Sequence, residues 1–274
     1  MTLIMVDQDK CKKDGICARD CPTGIIKFRD DGSFPELVQG GERFCLRCGH
    51  CVAVCPHGAF DHAEIPRDVC PAIVKENEVS LDQAVQFLRS RRSIRRYKER
   101  VVEREKIERL IEIARYAPTG GNAQHVQWTV VTDPSRLKRI AETSVDFLRH
   151  RLKTRGERGV PPYFPLVVAA WDAGFDTVIR NAPVLLAASA PAEADDGLVD
   201  VAIALSYLEL AALPMGLGTC WAGLVQAALL HWEPTKEALG LPEGHGNHYP
   251  MMLGYPVFRY HRVPERKAPV IHWK

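Results

Sequence analysis

A chain of 274 residues is long for one compact domain and fits a small domain followed by a medium one. Its 46% hydrophobic content is ordinary for a soluble protein, and a net charge of +2 by itself points to no partner. The charge is unevenly divided, with ten basic against thirteen acidic residues in 1–79 and 26 against 21 in 80–274. An acidic head on a basic body argues against nucleic acid and suits a redox module beside a domain that binds phosphorylated cofactors. No stretch reaches the length of a membrane span and no secretory signal is visible, so a cytoplasmic protein without a membrane partner is expected.

In chain order, residues 3–7 and 24–28 read as short strands, with a turn at Asp30–Asp31–Gly32 between the cysteine groups. This region has little apolar core of its own, so something else must hold it together. Residues 66–79, with Pro66, Pro71 and mixed charge, read as a linker between domains 1–65 and 80–274. Ser80 and Gln83 form a predicted capping box ahead of Leu81, Ala84, Val85 and Leu88 at helical spacing. A second amphipathic helix carries Ile107, Leu110, Ile111 and Ala114 and stops before Pro118. Gln127–Thr132 reads as a strand, and Asp133–Pro134 opens another helix. Pro183–Ala190 is expected to be a buried strand. Residues 198–213 form a helix apolar on nearly every side, which places it in the core or in a subunit interface. The aromatics of 159–178 fit either a lid or the core. Alternating strands and helices predict an α+β or α/β sandwich.

Seven of the nine cysteines fall between residues 11 and 55. The odd total and the tight spacings favour metal ligation in a reducing compartment over disulfides. The strongest run is Cys45-x2-Cys48-x2-Cys51-x3-Cys55-Pro56, in which three thiolates serve one iron–sulfur cubane and the fourth reaches a second. The other run, Cys11, Cys17 and Cys21 before Pro22, keeps three of the four ligand places and has Asp14 at the remaining one. Zinc is the rival ion, because paired CxxC units also build tetrahedral thiolate sites. This first part resembles the two-cluster bacterial ferredoxins. The resemblance implies one [4Fe-4S] cluster on Cys21, Cys45, Cys48 and Cys51. It implies a second, [4Fe-4S] or [3Fe-4S], on Cys11, Cys17 and Cys55 with Asp14. Cys70 is the alternative fourth ligand.

Four later segments resemble, in order, those of the FMN-dependent nitroreductase family. They are Arg91-Arg92-Ser93-Ile94-Arg95, Ala117–Gln124, Gly216–Gly223, and Leu253–Pro256 followed by Arg262–Lys267. Read without the family, the basic run is a solvated surface and the Pro-Gly-Gly segment a helix-ending turn. The resemblance implies a small ferredoxin-like domain followed by an α+β FMN-binding sandwich. It places Arg91, Arg92, Ser93 and Arg95 on the FMN phosphate, ribityl chain and pyrimidine edge, with Arg266 and Lys267 clamping the phosphate. It sets Pro118, Thr119, Gly120 and Asn122 against the ring, and the backbone of Ala222 and Gly223 near N5. No side chain is demanded for catalysis, since the chemistry is at the flavin. Cys220 reads as a buried structural thiol. A homodimer is implied, with ferredoxin or NAD(P)H as donor and an electron-poor small molecule, such as a nitroaromatic or quinone, as acceptor. The alternative is an electron carrier or redox sensor with no turnover of its own. A third reading is a dehalogenating or flavin-fragmenting relative on the same fold.

Overall fold

In the computed structural model, residues 2–29 and 32–274 are described; Asp30 and Asp31 of the expected turn lie outside them. The chain divides into two units, Met1–Glu78 with Gly121–Ala123, and Val79–Gly120 with Gln124–Lys274.

The first unit is a doubled motif. Strand β1 (Ile4–Val6), helix α1 (Ile16–Arg19), strands β2 (Ile26–Lys27) and β3 (Glu36–Leu37), helix α2 (His50–Ala53) and strand β4 (Phe60–His62) follow in order. β1 pairs antiparallel with β4, and β2 with β3. Positions recur 34 residues apart: Cys11 with Cys45, Asp14 with Cys48, Cys17 with Cys51, and Cys21 with Cys55. The backbone repeats as well. Lys13 and Arg47 both take positive φ (57° and 52°), and Gly15 and Gly49 enter α1 and α2 in the left-handed region. Only glycine adopts that conformation freely. The apolar core is small: Ile4, Cys17, Ile25, Ile26, Val52 and Phe60.

The second unit opens with helix α3 (Leu81–Ser90), whose capping box forms as expected. The Ser80 hydroxyl accepts from the Gln83 N–H at 3.3 Å, and the Gln83 side chain accepts from the Ser80 N–H at 3.0 Å. Helix α4 (Arg104–Ala114), strand β5 (Gln127–Val131) and helices α5 (Pro134–Arg155) and α6 (Phe164–Asp172) follow. Then come strand β6 (Val184–Ala190), helix α7 (Gly197–Ala212), strand β7 (Gly218–Trp221), helices α8 (Gly223–His231) and α9 (Glu233–Leu239), and strand β8 (Asn247–Gly254). The sheet runs β5-β6-β8-β7, with every pair antiparallel.

Strand β6 is buried throughout because it lies between two cores. Val184, Leu186, Ala188 and Ala190 face α4 and α7, while Leu185 and Ala187 face α5, α8 and α9. Side chains alternate faces along a strand, so a continuous apolar run is what a doubly covered strand requires. The fold is therefore a helix–sheet–helix sandwich of the α+β kind, as expected. Among the aromatics of 159–178, Phe164 is buried and Trp171 packs against a core, whereas Tyr163 and Phe175 are exposed.

Helix α7 divides in its burial within the single chain. Val201, Leu205 and Leu208 are fully covered, while Leu198 and Val199 stay more than half exposed. Helix α3 buries none of its residues.

At the start of α4, Tyr255 Oη donates to Glu103 and accepts from Lys106 Nζ at 2.7 Å. The Tyr255 hydroxyl, with Arg100 and Lys106, lowers the Glu103 carboxyl from its ordinary 4.5 to about 2. A depressed carboxylate stabilises the fold above its unfolded value, and that contribution fades as pH falls through the folded one. Glu103→Gln is thus expected to lower the melting temperature at neutral pH and to flatten the acid limb between pH 4.5 and 2. Melting curves across that range check it; parallel acid limbs would show that the pair contributes nothing.

Candidate functional site

The cysteines of the first unit surround two separate cavities. Cys21, Cys45, Cys48 and Cys51 line one, together with His50 and His62. Cys11, Cys17, Cys55 and Asp14 line the other, together with Phe28 and His57. This is the crossed division of ligands expected of a two-cluster ferredoxin, in which each run lends its last thiolate to the other's cluster. Cys70 lines neither cavity; its thiol faces the Pro66 carbonyl at 3.5 Å. A cubane needs thiolates spread around a volume, and the two cavities offer that, so the donor set fits iron–sulfur clusters.

Burial sets the chemistry of the free thiols. Cys51 is pushed up to about 12 by desolvation, and Cys17 is raised for the same reason. A ligating thiol must give up its proton, so loading the first unit releases protons and is opposed at low pH. Backbone amides are already aimed at sulfur: the Ala59 N–H donates to Cys55 Sγ at 3.3 Å and the Arg47 N–H to Cys45 Sγ at 3.4 Å. Asp14 is held at both oxygens. Oδ1 accepts from the Ile16 N–H at 3.1 Å, and Oδ2 lies 3.3 Å from His57 Nε2. The sequence reading missed His57 and His62. Laying the second cysteine run over the first would have found His62, since it falls where the first half has Phe28.

In the second unit, parts of three of the four family-like segments meet. The Ile94 N–H donates to the Thr219 carbonyl at 2.8 Å, which lays Arg91–Arg95 along β7. The Lys98 N–H donates to the Tyr255 carbonyl at 2.8 Å, and Tyr97 bridges to Pro256. Gly218 is required at this crossing, because a Cβ there would collide with Ile94. Arg92 Nε is buried with no hydrogen-bond partner, an orphaned donor of the kind an anionic ligand satisfies. Arg266 and Lys267 are exposed and form no ion pair among the described residues. Arg92, with its orphaned donor, fits an anionic tail such as that of FMN.

Several expected residues stand differently. Arg91 pairs at 3.1 Å with Glu209, a buried carboxylate that also accepts from Thr219 Oγ1 at 3.3 Å and Trp221 Nε1 at 3.2 Å. A buried carboxylate needs such partners. The Ala222 N–H donates to the Pro250 carbonyl at 2.9 Å, so its donor is taken. Gly223 opens α8, where first-turn N–H groups lack an intrahelical acceptor, and remains the available amide. Gly120 is held by its N–H to Asp200 at 3.0 Å, with Pro118 and Thr119 beside it. Asn122 groups with the first unit, donating to the Leu46 and Arg47 carbonyls at 3.0 and 2.9 Å. Ser93 and Arg95 lie near Cys220, whose thiol is buried and raised by desolvation. A cavity of about 690 Å³ is lined by Leu137, Trp171 and Ile179 and touches none of the expected flavin residues.

Comparison with known proteins agrees with this division. Residues 6–59 match the 4Fe-4S dicluster domain and residues 88–255 the nitroreductase family. A protein of Archaeoglobus fulgidus, provisionally named NADH dehydrogenase/NAD(P)H nitroreductase, is 28% identical over 176 residues, covering 64% of this chain and 87% of its own. A nitroreductase with bound FMN from Bacteroides fragilis superimposes at TM-score 0.53 with 20% identity, over 69% of this chain and 99% of its own. An FMN-dependent nitroreductase from Clostridium difficile gives 0.54 with 21% identity, over 70% of this chain and all of its own. These likenesses support the fold. The family match spans more than half of the chain, which therefore belongs to the nitroreductase family of FMN-dependent oxidoreductases and carries a 4Fe-4S dicluster domain ahead of it.

Proposed function

We propose that this chain is a homodimeric, cytoplasmic FMN enzyme whose iron–sulfur clusters relay single electrons from ferredoxin or NAD(P)H. The flavin then reduces a nitroaromatic, quinone or similarly electron-poor compound. One observation carries the reading: two cavities, each with its own set of cluster ligands, lie in the same chain as the nitroreductase match. Bound FMN supplies the exchange between one-electron and two-electron chemistry. The residues supply binding and orientation. Arg92, Ser93 and Arg95, with Arg266 and Lys267, hold the anionic tail; Gly223 offers a backbone N–H; Pro118, Thr119 and Gly120 border the ring, and Asn122 is kept from the family pattern. The complete thiolate set is assigned a [4Fe-4S] cluster, and the set containing Asp14 a [4Fe-4S] or [3Fe-4S] cluster.

A second chain is favoured by what one chain leaves uncovered. Leu81 and Leu88 of α3, Leu198 and Val199 of α7, and Phe258, Ile271 and Trp273 near the C-terminus are all exposed. Exposed apolar area on this scale marks an association surface. Anaerobic stopped-flow reduction with each donor, followed in the flavin and cluster absorbance and then by reoxidation with a nitroaromatic or quinone, tests the reading. Clusters that reduce but never pass electrons to the flavin would sink the relay. Reoxidation only by another protein would favour an electron carrier, and a flavin-saturated monomer in sedimentation would remove the dimer.

A further inference from the structure

The two halves of the first unit share a 34-residue spacing of cysteines and turns, yet they differ in the residues that line their two cavities. Thirty-four residues before His62 stands Phe28. Phe28 lines the cavity of Cys11, and His62 lines the cavity of Cys45. His62 is 1% exposed and sits at the end of β4, where its backbone is paired opposite Ile4. Its ring is held at both nitrogens. Nδ1 accepts from the Glu64 N–H at 3.1 Å, and Nε2 lies 3.6 Å from Cys45 Sγ. A backbone N–H can only donate, so Nδ1 is the acceptor and the ring proton of the neutral imidazole lies on Nε2. That proton points at the Cys45 sulfur.

We propose that His62 is a positioning residue for electron transfer: a fixed Nε2–H donor to the Cys45 thiolate that raises the reduction potential of the cluster held by Cys21, Cys45, Cys48 and Cys51. The inference rests on the cluster assignment proposed above. Reduction adds one electron, drawn in the test from dithionite, and its negative charge is shared with the ligating sulfurs. A hydrogen bond to one of those sulfurs stabilises the reduced form more than the oxidised form. No bond breaks, and the proton stays on Nε2. At the matching place in the other cavity Phe28 presents only hydrocarbon, and the histidine there, His57, faces Asp14 rather than a thiolate. His62 thus makes two like-folded halves unequal.

The test compares full-length, cluster-loaded wild type with His62→Phe, which installs the residue of the other half, and with His62→Gln, which keeps an N–H donor. EPR-monitored redox titration is expected to show one cluster midpoint lowered in His62→Phe by about 59 mV, a tenfold shift in a one-electron equilibrium, with iron content unchanged. His62→Gln is expected to recover much of that shift. A fully loaded His62→Phe with both midpoints unmoved overturns the inference. Wild type without two clusters overturns the cluster assignment instead. Should His62→Phe fail to load, pulsed EPR of ¹⁵N-histidine-labelled wild type and His50→Gln decides. A histidine nitrogen coupled to the reduced cluster in both upholds the inference, and its absence from either rejects it.

Discussion

Cys51→Ser is expected to remove an entire cluster, roughly half of the bound iron and sulfide, while flavin content stays at the wild-type level. Cys51 lies in the second cavity with Cys21, Cys45 and Cys48, and its thiol is the most strongly raised by burial among the cysteines. A serine oxygen there is a harder and less covalent ligand, and its proton is held still more tightly. The apolar core of the first unit is small, so cluster loss should also open it to protease. Asp14→Ala is expected to act on the other cavity and more mildly, because an oxygen ligand is the weak corner from the outset. Asp14→Cys should give a sturdier four-iron cluster there with a changed potential. Iron and sulfide analysis with low-temperature EPR checks all three. Equal, air-stable four-iron signals in wild type and Asp14→Ala would refute the inequality, and destruction of one cluster by Cys70→Ser would reassign the missing ligand.

The double change Arg266→Ala with Lys267→Ala is expected to release FMN. Hydrogen bonds between charged groups contribute about 1.5–3 kcal/mol each. Losing two such bonds therefore weakens phosphate binding roughly 10²–10⁴-fold, at 1.4 kcal/mol per factor of ten. Among the described residues neither side chain forms an ion pair. Arg104→Ala is the control. Its guanidinium lies on the solvated face of α4, 2.7 Å from Glu108, where screening leaves an ion pair little influence. Flavin fluorescence titration after acid release reads the difference. Retention in the double variant equal to that of Arg104→Ala would move the phosphate to another set of residues.

The cluster ligands were legible in the chain because their pattern is local. A thiolate spacing of two or three residues is set by the loop that wraps a cubane, and no distant contact is needed to recognise it. The helix starts at Ser80 and Asp133 were legible for the same reason, since a cap is a contact between neighbours in sequence. The alternation of periodicities narrowed the class to an α+β or α/β sandwich. The order β5-β6-β8-β7 did not follow from it, because that order depends on which helices cover each face of β6.

The sequence by itself determined which residues have the chemistry for cluster and flavin; the tertiary structure decided which of them are available. In the fold Arg91 pairs with Glu209 of α7, and the Ala222 amide donates to Pro250 of β8. His62 stood out along the chain only by its place matching Phe28 in the 34-residue repeat, and it gains its role where strand pairing buries it beside the Cys45 sulfur. Along the chain Asp14 held the fourth ligand place with Cys70 as the alternative; in the fold Asp14 lines the cavity and the Cys70 thiol faces the Pro66 carbonyl. Side-chain type is a local property, whereas burial and partners come from contacts between residues distant in sequence.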